Sequence, residues 1–129
     1  MIDVSDRKRI VAVDDSNVVL KTLGSVLDKE EYELHAFSTG ARALEFLVQK
    51  EKKPDLIILD IEMPIMNGYD ILKRIKKMTH LEFVPVIFLT SNAEKKQVMK
   101  AATGGVKDYV VKPIDKDILM RKLRSLLGY

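Results

Sequence analysis

The 129-residue chain contains no cysteine, which removes a disulfide framework, a thiolate zinc site and a cysteine nucleophile together. The same absence fits a reducing compartment, so a cytoplasmic location is expected. Long hydrophobic runs are missing too. The longest, Val84 to Leu89, is interrupted by Pro85 and is far shorter than a membrane span. The first residues, Met1-Ile2-Asp3-Val4-Ser5-Asp6, are acidic and lack the basic-then-apolar layout of a signal peptide. No membrane insertion is expected. An excess of one charge is also lacking: 22 Lys and Arg against 19 Asp and Glu leave +3, too little to argue for direct nucleic-acid binding. No low-complexity stretch or long Pro/Gly/Ser-rich linker divides the chain. What is present, 47% hydrophobic and 32% charged residues, is the composition of a single domain over residues 1–129 that buries its own core.

Two kinds of segment alternate. Short β-branched runs occur at Arg9 to Val13, Tyr32 to Phe37, Leu56 to Leu59, Pro85 to Leu89 and Tyr109 to Val111. The first, third and fourth are almost wholly apolar, as strands buried on both faces of a parallel sheet are. Between them run apolar residues at helical spacing: Val19, Leu23, Val26 and Leu27; Ala43, Leu44, Leu47 and Val48; Ile71, Leu72, Ile75 and Met78; Ile118, Leu119, Leu123, Leu126 and Leu127. Ala93 to Thr103 has the weakest helical pattern, with Val98, Ala101 and Ala102 in a polar setting. Ser16 or Asn17, Ser38-Thr39, Asn67 and Asp115 are N-cap types, and Gly104-Gly105 is a stop. Five strands alternating with five helices, with crossovers long enough for right-handed βαβ units, predict a doubly wound α/β sandwich.

In such sheets the carboxyl ends of the strands converge on one crevice where the strand order reverses. Strand one ends in Asp14-Asp15, strand three in Asp60 followed by Glu62, strand four in Thr90, and strand five in Lys112-Pro113. Taken singly, each has a plain structural reading: the Asp pair as a helix cap, Thr90 as a turn former, Lys112 as a solvated loop lysine. Together they occupy one edge of the sheet, where loops carry function. Three close carboxylates repel one another and call for a cation. Mg²⁺ suits them, since it binds through one or two carboxylates and completes its octahedron with waters and phosphate oxygens. Carboxylate, hard cation, ammonium and hydroxyl are the parts that stabilise a phosphoryl group in transfer, and an Asp can itself be the acceptor.

The motifs Val13-Asp14-Asp15-Ser16, Leu59-Asp60-Ile61-Glu62-Met63-Pro64, Asn67-Gly68, Leu89-Thr90-Ser91 and Asp108-Tyr109-Val110-Val111-Lys112-Pro113 resemble those of the receiver domains of two-component response regulators. The likeness is strongest to the stand-alone chemotaxis type and runs from about Arg9 to Leu127. It implies a flavodoxin-like five-stranded parallel sheet of order 2-1-3-4-5. It further implies Asp60 as phosphate acceptor and Mg²⁺ held by Asp15, Asp60 and the Glu62 backbone carbonyl, with Asp14 acting mainly through a bound water. Thr90 and Lys112 would contact phosphoryl oxygens, and Tyr109 would turn inward as Thr90 moves. The implied partners are a histidine kinase or phosphotransfer protein and a downstream protein on the face made by the fourth helix, fifth strand and fifth helix. A monomer or a weak phosphorylation-dependent dimer is the implied state.

The remaining features fit around that reading. Glu62 and Asn92 occupy positions that tune hydrolysis of the acyl phosphate in this family. Gly104-Gly105-Val106-Lys107 departs from the small and acidic residues common there, which leaves the shape of the output face open. Residues 91–129 carry nine basic and four acidic groups, a solvated helix face or a docking surface for an acidic partner. His35 and His80 lie in different elements and are given no metal or relay role. Met63, Met66 and Met78 read as packing around the third helix. An enzyme of the haloacid-dehalogenase type is disfavoured, because Glu62 stands where that chemistry needs a second Asp and Asp60 is on the third strand. A dinucleotide-binding domain lacks its glycine-rich turn after strand one. Two alternatives stay open: the receiver half of a longer regulator, and an interaction module of the same fold that works without phosphorylation.

Overall fold

The computed structural model describes residues 6–91 and 105–128. The order of elements is β1 (Lys8–Val13), α1 (Asn17–Val26), β2 (Tyr32–Phe37), α2 (Gly40–Leu47), β3 (Leu56–Asp60), α3 (Gly68–Ile75), β4 (Val86–Thr90), β5 (Asp108–Val111) and α4 (Lys116–Leu127). Short 3₁₀ turns at Lys50–Lys52 and Thr79–Leu81 lead into β3 and β4. All strand pairs are parallel, in the order β2-β1-β3-β4-β5. This is the flavodoxin-like sheet expected. Four of the five expected helices lie among the described residues; the other, Ala93 to Thr103, lies outside them. No described helix is long and apolar enough to cross a membrane.

The apolar strands are explained by the two layers they feed. Val11, Val13, Ile57, Leu59, Val86 and Phe88 point into one cluster, closed by Ala43 and Leu47 of α2 and Ile71 and Ile75 of α3. Their neighbours Ile10, Ala12, Leu56, Ile58, Ile87 and Leu89 point into the other, closed by Leu23 of α1 and Leu119 and Leu123 of α4. With both faces covered, strict alternation of residue types gives way to continuous hydrocarbon. Each fully buried Leu or Ile contributes about 1.5–3 kcal/mol. That burial holds α2 and α3, whose eight residues are too few for a stable isolated helix.

Side chains fix the helix starts. Ser16 accepts the Val19 N–H, Thr39 the Arg42 N–H and Asp115 the Ile118 N–H. Asn67 and Asp70 form a reciprocal capping box, both bonds 3.0 Å. The start of α1 is therefore set by Ser16, and Asn17 is its first helical residue. Two residues of the apolar stripes emerge into water: Val48, the C-cap of α2, and Ile118, at 55% and 43% exposure. Both sit at helix ends, where a stripe runs past the element it packs against.

The β3–α3 loop has two backbone constraints. Gly68 donates its N–H to Ile61 O at 3.0 Å, and a Cβ there would lie 2.6 Å from Asp60 O and 3.0 Å from Ile61 Cα. Only glycine fits. Ile65 takes φ 68°, a left-handed conformation that costs an L-residue about 1–2 kcal/mol and is rare for β-branched side chains.

Candidate functional site

Four strand ends build the site. The registers of β1 with β3 and of β3 with β4 carry Asp14, Asp60 and Thr90 to one edge of the sheet: Val13 pairs with Leu59, and Asp60 with Leu89. Asp14, Asp60 and Thr90 are the buried polar residues among the described ones. Asp15, the next residue along, is exposed. Lys112 follows β5 and anchors its own backbone by donating its N–H to Thr90 O at 2.8 Å.

Lys112 Nζ lies 2.7 Å from Asp14 Oδ2 and 3.2 Å from Asp60 Oδ1. The approach to Asp14 Oδ2 is an ion pair set off the hydrogen-bonding direction. Asp14 Oδ1 accepts the Ser16 N–H at 2.9 Å, so the plain reading of the Asp pair as a helix-start group and the functional reading are both realised in one carboxylate. Asp14, Asp15 and Asp60 each bring one oxygen into a cluster in which all three lie within 4.8 Å of one another.

These contacts set the protonation chemistry. Burial and the charge of Asp14 push the Asp60 carboxyl up to about 6, against the opposing pull of Lys112 and of the Glu62 backbone N–H. Burial works against the Lys112 ammonium, but Asp14 and Asp60 outweigh it and hold its pKa above the ordinary lysine value. The lysine is thus a fixed cation between two acids. One ammonium cannot neutralise three carboxylates, and an all-oxygen donor set of this kind fits a hard divalent cation such as Mg²⁺.

Thr90 ends β4 one residue beyond the partner of Asp60, and Tyr109 pairs with Phe88 in the β4–β5 register. Tyr109 is partly buried against the α2–α3 side of the core. The contacts of Lys122 were not legible as site features in the sequence. Lys122 of α4 donates to Tyr109 O at 2.5 Å and to Asp108 Oδ1 at 3.1 Å, and its ammonium stands 4.9 Å from the Tyr109 ring centroid. The signal available was a lysine inside the apolar stripe of the last helix. Gly68 of the Asn67-Gly68 motif is explained by packing: its missing Cβ lets α3 start against the Asp60 carbonyl. His35 pairs with Glu33 and lies on the Phe46 ring, and His80 bonds Leu47 O, both away from the acidic cluster. Met63, Met66 and Met78 pack against the α2–α3 cluster.

Comparison with known proteins gives the same picture. The response regulator receiver domain family matches residues 10–124. The chain is 38% identical over 107 residues to the two-component response regulator ARR12 of Arabidopsis thaliana, an alignment covering 82% of this chain and 17% of that protein. Among its rice relatives the covered share of the relative reaches 87%. The chemotaxis protein CheY4 of Vibrio cholerae superposes with a TM-score of 0.82 at 30% identity, over 94% of this chain and 99% of the other. The receiver domain of the sensor histidine kinase PA1611 of Pseudomonas aeruginosa, whose structure holds a magnesium ion in its active site cleft, gives 0.83 at 25% identity, over 95% and 99%. With its sheet order, its acidic edge and a family match running from β1 into α4, the chain belongs to the receiver domains of response regulators.

Proposed function

We propose that this chain is a single-domain response regulator that takes a phosphoryl group onto Asp60 from a phosphohistidine of a histidine kinase or phosphotransfer protein. The observation that carries the reading is Lys112 reaching Asp14 and Asp60 at 2.7 and 3.2 Å inside a cluster of three carboxylates. An Asp60 carboxylate oxygen attacks phosphorus, the P–N bond breaks, and the leaving imidazole nitrogen keeps the electron pair and takes up a proton. Asp14, Asp15, Asp60 and the Glu62 carbonyl would hold Mg²⁺, which supplies charge neutralisation for the transferring oxygens. Lys112 holds a second positive charge at Asp60, and Thr90 contributes a hydroxyl donor from the neighbouring strand end.

The phosphorylated Asp60 carries about −1.5 to −2 charges and strong acceptor oxygens. Lys112 and Thr90 gain charge-assisted bonds and move toward it. Tyr109 then settles further inward, and the surface made by β5 and α4 changes shape as a population shift. That surface binds the downstream protein. The domain works in the cytoplasm, as a monomer or a weak dimer that forms on phosphorylation, and binds no nucleic acid itself. The small share of ARR12 that aligns supports a second arrangement in which the same domain is the receiver part of a longer regulator.

Incubation with Mg²⁺ and acetyl phosphate tests the proposal. The parent is expected to take up acid-labile phosphate, and Asp60→Asn to take up none. Lys112→Ala should still bind a beryllofluoride mimic but lose the accompanying shift of Thr90 and Tyr109 resonances. Equal phosphate uptake by parent and Asp60→Asn would remove Asp60 as acceptor, and a full resonance shift in Lys112→Ala would remove Lys112 as the coupling group. Phosphate uptake with no surface change in the parent points to a module that does not signal in this way.

A further inference from the structure

On the face of the sheet closed by α2 and α3, the two helices leave an open groove of about 810 Å³ between them. Its apolar lining is hydrocarbon and thioether: Leu44 of α2 and its C-cap Val48, Ile65 and Met66 from the β3–α3 loop, and Met78 beyond α3. Its rim is basic. Lys73, Arg74 and Lys77 line it from α3 and the turn that follows, and among the described residues none of the three has a salt-bridge partner. The acidic rim residue, Asp70, is already engaged by the Asn67 N–H of the capping box.

Ile65 is the unusual member. It is fully exposed, at 105% of its reference area, and it sits at φ 68°. Asparagine or glycine would take that conformation with less strain and would put no hydrocarbon into water. Neither the loop nor the core is served by isoleucine there, whereas an apolar partner covering it would be.

We propose that this groove docks an acidic amphipathic helix of another protein, with its apolar stripe seated around Ile65 and its carboxylates facing Lys73, Arg74 and Lys77. Two turns of helix form a cylinder about 10 Å across and about 11 Å long. Two turns also suffice to present anchors at i, i+3, i+4 and i+7. A second copy offering the same face would set three cations against three cations. The proposal is independent of the role assigned to Asp60.

The test uses the intact protein without phosphodonor and a fluorescent peptide of about 16 residues, with Leu at those four positions and Glu opposite. Saturable binding that weakens with salt is expected, with methyl resonance shifts at Leu44, Val48 and Ile65. Ile65→Asn should weaken binding about tenfold or more without lowering the melting temperature, which separates lost docking from lost folding. Lys73→Glu combined with Lys77→Glu should do the same, and Arg121→Glu on α4 should change nothing. Equal binding of a peptide with scrambled leucines, or unchanged affinity in Ile65→Asn, overturns the proposal. Self-association, or adsorption to phosphatidylglycerol vesicles, that depends on Ile65 while the peptide fails to bind overturns it in favour of those occupants.

Discussion

At the scale of single residues, Asp60 is held in an unfavourable place by the fold. Its carboxyl titrates near 6 in the folded chain, against about 3.9 when unfolded. The folded state therefore binds that proton more tightly, and the cost of the ionised form is fully present above pH 6 and fades as the pH falls toward 4. In the presence of a chelator, Asp60→Asn is expected to raise stability at pH 7.5 by on the order of 2 kcal/mol. The gap between variant and parent should close between pH 6.5 and 4, as urea unfolding curves at a series of pH values would record. A gap independent of pH would mean that the carboxylate is not strained. Lys112 carries the complementary role: an ammonium whose pKa is raised by two acids stays charged throughout that range.

At the scale of elements, the β3–α3 connection shows what local patterning encodes. Gly68→Ala would push a methyl into the Asp60 carbonyl at 2.6 Å. It is expected to cost more than about 2 kcal/mol and to cut phosphate uptake, because the atom displaced belongs to the proposed acceptor residue. Gly24→Ala, inside α1 with nothing within 4 Å of the added methyl, should instead stabilise by up to about 1 kcal/mol. Thermal melts of the two variants side by side check both signs. The strands were legible because burial on both faces leaves continuous hydrocarbon, and Tyr32–Phe37 has the ends that its residues indicate. The caps were legible because Ser16, Thr39, Asn67 and Asp115 each bond a backbone N–H three residues on. The left-handed Ile65 was not, since isoleucine has no local preference for that conformation. Nor was the grip of Lys122 on Tyr109, a contact between a strand and a helix that periodicity within either element does not report.

At the scale of the whole molecule, the acidic cluster joins β1 to β3, so a cation bound there stabilises the fold as a unit. Mg²⁺ at ten times its dissociation constant should add about 1.4 kcal/mol to unfolding. The same addition to Asp60→Asn should yield much less, and scanning calorimetry with and without the ion measures the difference. An equal gain in both proteins would place the ion elsewhere. The position of the site was legible from the sequence because strand ends in a doubly wound sheet share an edge, and residue order alone then gathers Asp14, Asp60 and Lys112.

Lys112 follows β5, an edge strand of four residues with one hydrogen-bonded neighbour, yet its side chain reaches Asp14 at the end of β1, past both β4 and β3. It works as a clasp, pinning the sheet's weakest margin to its centre. Any modification that alters the charge at Asp60 therefore also resets how firmly that margin is fastened, and a chemical event at the rim becomes a mechanical one at the border.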